Sequence, residues 1–68
     1  MNEALANDLR AAREAAGWTQ AQLAERVGVS RKTINTVENG VFIPSTLLAL
    51  KLARVLGRPV ETLFSIVE

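Results

Sequence analysis

The stretch that decides the fold spans residues 19–40 and reads TQAQLAERVGVSRKTINTVENG. Thr19 and Gln22 have the spacing of a capping box, in which each side chain accepts a hydrogen bond from the backbone N–H of the other residue. Apolar residues at helical spacing extend this helix to about Val27. Gly28 then predicts the end of the helix, because glycine adopts the left-handed conformation that often closes one.

A second helix follows the glycine turn almost at once. Ser30 is its predicted N-cap, and Gly40 is its predicted end. Ile34 and Val37 are the only strongly apolar residues of this helix, so they must face inward. Two capped helices joined by such a turn form a helix-turn-helix, whose second helix can lie in the DNA major groove with its first residues against base edges.

The outer face of the second helix carries side chains of types that can donate to base edges and phosphates. They are Arg31, Lys32, Asn35, Thr36 and Asn39. Any surface helix has a polar outer face, so this face indicates DNA binding only together with the caps and the turn. The net charge of +1 gives no general basic excess, so a basic surface must come from local clustering. Gln20, the first residue of the preceding helix, is expected to stay exposed, either as a solvated polar residue or as a donor to a phosphate.

The residues before this motif predict a first helix. Asn2 is a suitable N-cap, and Gly17 is a suitable left-handed end. Apolar residues at helical spacing predict its buried stripe, which consists of Leu5, Leu9, Ala12 and Ala16. Arg13 lies on or beside this stripe, as a solvated charge or as half of a structural ion pair, and we favour the ion pair. Arg10 lies away from the stripe and is expected to be a surface charge.

Two further helices are predicted after the motif. Ser45 caps a fourth helix that runs to about Leu56, where Gly57 ends it. A short fifth helix begins at residues 58–59, since proline suits the first turn of a helix.

Composition limits the classes of function. Sixty-eight residues, 49% of them hydrophobic, fit one domain over residues 1–68 with one small core. The chain has no cysteine and no histidine, which removes thiolate metal sites and the commonest acid–base catalyst. Its glutamates show no catalytic spacing, so we expect no enzyme, no metal and no cofactor. Without a membrane-length apolar run or a signal peptide, the expected location is cytoplasmic.

Over residues 9–64 the sequence resembles the lambda repressor/Cro-like helix-turn-helix domains, also called the XRE family. The likeness rests on residues 9–10, 13, 17–20, 23–25, 27–31, 34–40, 44–45, 51–57 and 63–64. It implies an all-α fold of five helices, with the helix-turn-helix formed by helices 2 and 3. It also implies sequence-specific binding to the major groove of double-stranded DNA as a two-fold dimer. The sequence is most similar to small stand-alone bacterial and archaeal regulators.

The resemblance also implies roles for individual residues. The base-reading positions are matched by Arg31, Lys32 and Thr36, with Asn35 and Thr33 less often used. The positions at or near phosphates are matched by Gln20, Asn39 and Arg10, of which Gln20 also braces the recognition helix. Arg13 and Glu38 match a partly buried ion pair between the first and third helices.

Two functions of different classes fit this reading. The first is a transcriptional regulator, which we expect to be a repressor that binds a palindromic operator as a homodimer. The second is an antitoxin-like protein-interaction module that also binds its own promoter, because function resides in a site rather than in the fold. A toxin-like neighbouring gene would favour the second. We expect no small-molecule effector, since so small a core offers no evident pocket.

A dimer requires an interface on the domain itself, which we place within residues 47–68. The candidates are apolar groups that the core does not need, namely Leu47, Leu50, Phe64, Ile66 and Val67. A two-fold interface is self-complementary, so these side chains would meet their own copies. The alternative is that the apolar tail folds back on its own core.

Overall fold

The computed structural model describes residues 4–67, which form five helices and a two-stranded sheet. The elements in chain order are β1 (Ala4–Asn7), α1 (Leu9–Ala15), α2 (Gln20–Val27), α3 (Arg31–Glu38), α4 (Thr46–Leu56), α5 (Val60–Leu63) and β2 (Phe64–Val67). The prediction of five helices is confirmed. The prediction of an all-α fold is corrected, because a small sheet joins the two ends of the described chain.

The sheet consists of β1 and β2 in antiparallel pairing. Leu5 lies opposite Ile66, and Asn7 lies opposite Phe64. The β2 sequence Phe-Ser-Ile-Val is rich in aromatic and β-branched residues, which favour a pleated, half-buried surface. Residues 65–67 of the tail pair with β1, and Ile66 and Val67 remain 67% and 48% exposed, so the tail folds back on β1 and not into the helical core.

The same pairing corrects the predicted start of the first helix. Residues 4–7 are extended, so α1 begins only at Leu9. Leu5, predicted in the helical stripe, is half-buried on β1, and Ala16, predicted to be buried, is exposed after the end of α1. The predicted cap at Asn2 lies outside the described residues.

One hydrophobic core lies between the helices. Its fully buried large side chains come from every helix and are Leu9, Leu23, Ile34, Val37, Leu52 and Leu63. Burying each such side chain contributes about 1.5–3 kcal/mol to folding. Ile34 and Val37 face inward as predicted, and their burial leaves the polar side of α3 facing outward.

Side-chain caps fix the beginnings of α2, α3 and α4, as predicted. Thr19 Oγ1 accepts a hydrogen bond from the Gln22 backbone N–H at 3.1 Å, and Gln22 Oε1 accepts one from the Thr19 N–H at 2.8 Å. Ser30 and Ser45 each accept a hydrogen bond from the third backbone N–H of their helix. Gly28 closes α2 with a φ of 76°, and the chain turns there so that α3 packs against α2.

Candidate nucleic-acid interface

The site is built around Glu38, the last residue of α3. Its side chain has no exposed surface, and its Oε2 lies 2.6 Å from Nε of Arg13 in α1. Arg13 Nη2 also donates to Glu38 Oε1 at 3.3 Å, and Arg13 Nη1 donates to the carbonyl of Trp18 at 2.8 Å. The structure therefore contains the ion pair between the first and third helices that the resemblance implied, and it is buried.

Two further donors meet the same carboxylate. Arg10 Nε lies 3.3 Å from Glu38 Oε1, and Gln20 Nε2 donates to that oxygen at 3.0 Å. Burial alone would raise the pKa of Glu38, but the hydrogen bonds from Arg13, Gln20 and Arg10 and the charge of Arg13 outweigh burial and hold the pKa below its ordinary value. The hydrogen bond to Glu38 likewise raises the pKa of Arg13. Both groups are therefore charged at neutral pH.

Gln20 connects this carboxylate to the front of α3. Its Oε1 accepts hydrogen bonds from Asn35 Nδ2 at 3.3 Å and from Arg31 Nη1 at 3.4 Å. The expectation that Gln20 stays exposed is therefore wrong: it is half-buried, because its amide bridges Glu38 and the outer side of α3.

Asn39 closes the network at the other end of α3. Its Nδ2 donates to Asn35 Oδ1 at 2.9 Å, and its Oδ1 accepts from Arg10 Nη2 at 3.2 Å. We call the connected outer residues the polar face, which consists of Arg10, Gln20, Arg31, Asn35 and Asn39. The structure thus brings these five predicted site residues together on one surface.

The other three predicted DNA-contacting residues lie on α3 outside this network. Lys32 is exposed, beside Arg31 at the start of the helix. The Thr36 hydroxyl lies 3.0 Å from the carbonyls of Lys32 and Thr33, and the Thr33 hydroxyl lies 2.9 Å from that of Ser30. Both threonine hydroxyls are therefore engaged locally within the described chain.

The predicted interface residues divide between different surfaces. Leu50 and Phe64 line an apolar groove that continues over Leu5, Ile43 and Val60. Ile66 lies on the same face of the sheet as Leu5, because directly opposed residues of an antiparallel pair share a face.

The remaining two candidates lie elsewhere. Leu47 lines a second recess with Phe42 on the other flank of α4, and it is 64% exposed. Val67 pairs with Ala4 on the opposite face of the sheet from Ile66, because successive strand residues alternate between faces.

Two contributions to the site are absent from the sequence-based prediction. Arg10 turns back onto Glu38 and Asn39 instead of standing as an isolated surface charge. Asn7 donates from Nδ2 to the carbonyl of Val37, near the end of α3, at 3.0 Å. An asparagine one residue before a helix N-cap is a signal that could have found Asn7, but the predicted helix already included that position.

Known proteins resemble this chain over most of its length. A sequence profile of the helix-turn-helix family matches residues 9–63, which span α1 to α5. The chain belongs to the XRE-type helix-turn-helix family. Members of this family are DNA-binding transcription regulators rather than enzymes.

Relatives of this helix-turn-helix protein match between about half and nine tenths of its length. An uncharacterized HTH-type transcriptional regulator from Methanothermobacter thermautotrophicus is 48% identical over 61 residues, 88% of each chain. The crystal structure of the hypothetical transcription factor NHTF from Neisseria has a TM-score of 0.76 and 27% identity, covering 81% of this chain and 62% of that longer one. Antitoxin HipB from Escherichia coli is 43% identical over 35 residues, 52% of this chain and 40% of HipB.

No helix between residues 4 and 67 is both long enough and apolar enough to cross a membrane.

The first prediction concerns the Arg13–Glu38 pair. Arg13→Met leaves a buried carboxylate without its main partner and should lower the free energy of unfolding by about 3–5 kcal/mol. Glu38→Gln should also destabilise the protein, because it leaves Arg13 without a counter-charge. The double variant should lose less than the sum of the two single losses, as measured by urea unfolding at pH 7. Additive losses would show that the two side chains do not interact.

The second prediction concerns the pH dependence of folding stability. The pKa of Glu38 is lower in the folded state than its ordinary value of 4.5, so the unfolded chain binds this proton first as the pH falls. The stabilisation that ionised Glu38 gives to the folded state is therefore fully present well above pH 4.5 and is lost as the pH falls below that value. Melting temperatures of the unmodified protein and Glu38→Gln should differ most at pH 7 and converge toward pH 3. Glu25→Gln, which changes an exposed carboxylate of α2, is the control, and a constant gap for Glu38→Gln would contradict the assignment.

Proposed function

We propose that this protein is a transcriptional repressor that binds a palindromic DNA operator in the cytoplasm as a homodimer. In this proposal α2 and α3 form the helix-turn-helix, and α3 is the recognition helix that enters the major groove. The polar face supports this most directly, because it holds donors from α1, α2 and α3 on one outward surface around a buried carboxylate. Occupying an operator is sufficient to repress, since it excludes other proteins from the same DNA.

The positions of the side chains on α3 suggest which of them contact bases. Arg31 and Lys32 open α3, where a recognition helix meets base edges, and both can donate to a guanine. Thr36 lies one turn further along the helix, and Thr33 and Asn35 flank it as secondary base contacts.

Phosphate contacts would orient the domain on the duplex. Gln20 sits at the N-terminus of α2, where a backbone phosphate is favoured by free N–H groups and by the helix dipole. Arg10 is half-exposed and bonded to Asn39, so both can face the phosphates at the other end of α3. Such contacts set the register of the complex but carry no sequence information.

Dimerisation would bring two recognition helices to successive major grooves, about 34 Å apart. A single recognition helix reads too few base pairs to define a unique site. We place the centre of the interface on Leu50, Phe64 and Ile66, because they share one continuous apolar surface with Leu5 and Ile43. Leu50 and Ile66 are 53% and 67% exposed, which is a high exposure for large apolar side chains on adjoining elements.

Similarity to antitoxin HipB supports a second candidate, an antitoxin-like module that binds a protein partner as well as its own promoter. The shared 35 residues make up 52% of this chain and 40% of HipB. Co-purification with the product of the adjacent gene would favour this candidate, whereas operator binding without any such partner would favour the repressor alone.

The third prediction separates base readers from phosphate binders. Arg31→Ala or Lys32→Ala should lose about 1–3 kcal/mol of discrimination at one base pair of the operator. Arg10→Ala should instead weaken binding to matched and mismatched duplexes alike. Fluorescence anisotropy with both duplexes at one fixed salt concentration measures the difference.

The control for this prediction is Arg58→Ala, which removes the same charge from an exposed residue whose partner is Asp8, 3.6 Å away. It should change neither affinity strongly. If Arg31→Ala and Lys32→Ala both weaken all duplexes equally, α3 does not read bases through these residues.

The fourth prediction tests the dimer surface. Leu50→Asp places a charge in the apolar groove and should give a folded monomer with poor operator affinity. Leu47→Asp is the matched control, because it makes the same change on the other flank of α4. Sedimentation equilibrium at high micromolar concentration gives the mass of each variant. A monomeric unmodified protein, or a Leu50→Asp variant that still dimerises, would contradict this interface, and a monomeric Leu47→Asp variant would extend the interface to that flank.

A further inference from the structure

Asn7 lies where the sheet meets the start of α1 and the end of α3. It is the last residue of β1 and is half-buried. Its Nδ2 donates to the carbonyl of Val37 at 3.0 Å, and its Oδ1 accepts from the backbone N–H of Leu9 at 3.1 Å. The next residue, Asp8, donates from its backbone N–H to the carbonyl of Leu63 at 2.9 Å. A single side chain therefore ties the sheet to both helices.

The bond to Val37 acts on the end of α3. The last four carbonyls of a helix have no partner within it, and that of Val37 is one of them. It accepts from Asn7, which lies 30 residues earlier in the chain, and from the Gly40 N–H at 3.1 Å. These two bonds use both lone pairs of this oxygen. They fix the backbone at Val37, one residue before Glu38, and Glu38 is the carboxylate that connects the side chains of the polar face.

The bond to Leu9 acts on the start of α1. Asp8 occupies the N-cap position but makes no side-chain capping bond, and Asn7 satisfies the first N–H of the helix instead. Aspartate has the shape of asparagine and can still accept from Leu9, but an ionised carboxylate cannot donate to Val37. The isosteric substitution Asn7→Asp should therefore remove the bond to Val37 and keep the bond to Leu9.

We propose that Asn7 is a positioning residue for DNA recognition, which fixes the end of α3 and thereby places Glu38 and Asn39. Asn7 lines a recess beside Arg10 and Asn39, but its side-chain amide is engaged with Val37 and Leu9, so it acts through α3. The proposal rests on the proposed function, since it requires that α3 faces DNA. It assigns the terminal sheet a part in binding, because β2 holds β1, and β1 carries Asn7.

The test uses the full chain with Asn7→Asp, Asn7→Ala and the neighbouring control Asp8→Asn. Each is measured against an operator selected from random duplexes and against a scrambled duplex, at a temperature where circular dichroism shows all variants folded. Both Asn7 variants should bind the operator about 3- to 10-fold more weakly, the range that corresponds to one net hydrogen bond. Binding to the scrambled duplex should change less, because misplacing α3 affects base contacts most. Asn7→Ala adds no charge, so an effect that it shares with Asn7→Asp is not simple repulsion of phosphates.

The ratio of operator affinity to scrambled-duplex affinity decides the outcome. A lower ratio in both Asn7 variants and an unchanged ratio in Asp8→Asn support the positioning role. An unchanged ratio in the Asn7 variants overturns it, even if their melting temperatures fall, and leaves the proposed function intact.

If the unmodified protein selects no operator, the proposed function fails. Amide hydrogen exchange then tests the remaining claim, that Asn7 fixes the end of α3. Asn7→Asp should then speed exchange at Asn39 and Gly40 several-fold. Unchanged exchange at both residues would overturn the role of Asn7 as well.

Discussion

The buried carboxylate of Glu38 is the constraint on which the rest of this structure depends. A charged group without exposed surface is costly unless it is paired and its hydrogen bonds are made. Here the partners come from two other helices, since Arg13 and Arg10 lie on α1 and Gln20 lies on α2. The hydrogen bonds that the Glu38 carboxylate needs therefore hold α1 and α2 against the end of α3.

The same requirement organises the outward surface. Because one N–H of Gln20 is committed to Glu38, its amide oxygen is turned toward Arg31 and Asn35. Several side chains of the polar face are thus held in place by protein partners before any DNA is present. Binding then costs less conformational entropy than ordering free side chains would. Within residues 4–67 the Arg31 side chain makes one hydrogen bond, a long one of 3.4 Å to Gln20, so in the proposed complex little would be lost when it turns toward a base.

Much of the helical framework could be predicted because its signals are local. The capping box at Thr19 and the left-handed Gly28 act over a few residues, and both lie where the sequence placed them. Periodicity also gave the inward face of α3. The Arg13–Glu38 pair is different, since its partners are 25 residues apart and only the family resemblance connected them.

The sheet could not be predicted from local rules. Leu5 continues the helical spacing of Leu9 and Ala12, so periodicity extended the first helix across residues that pair with β2 instead. The decisive partner, Ile66, lies at the other end of the chain, and strand preference depends on such packing. The role of Asn7 was hidden for the same reason, because its bond to Val37 exists only once the sheet has formed beside α3.

Selection of bound duplexes from a random pool tests most directly whether α3 reads DNA as one half of a two-fold complex. We predict enrichment of a palindrome whose two half-sites lie about one helical turn apart, roughly 34 Å between their centres. Recovery of no common sequence, or of a single half-site without its symmetric copy, would contradict the proposal.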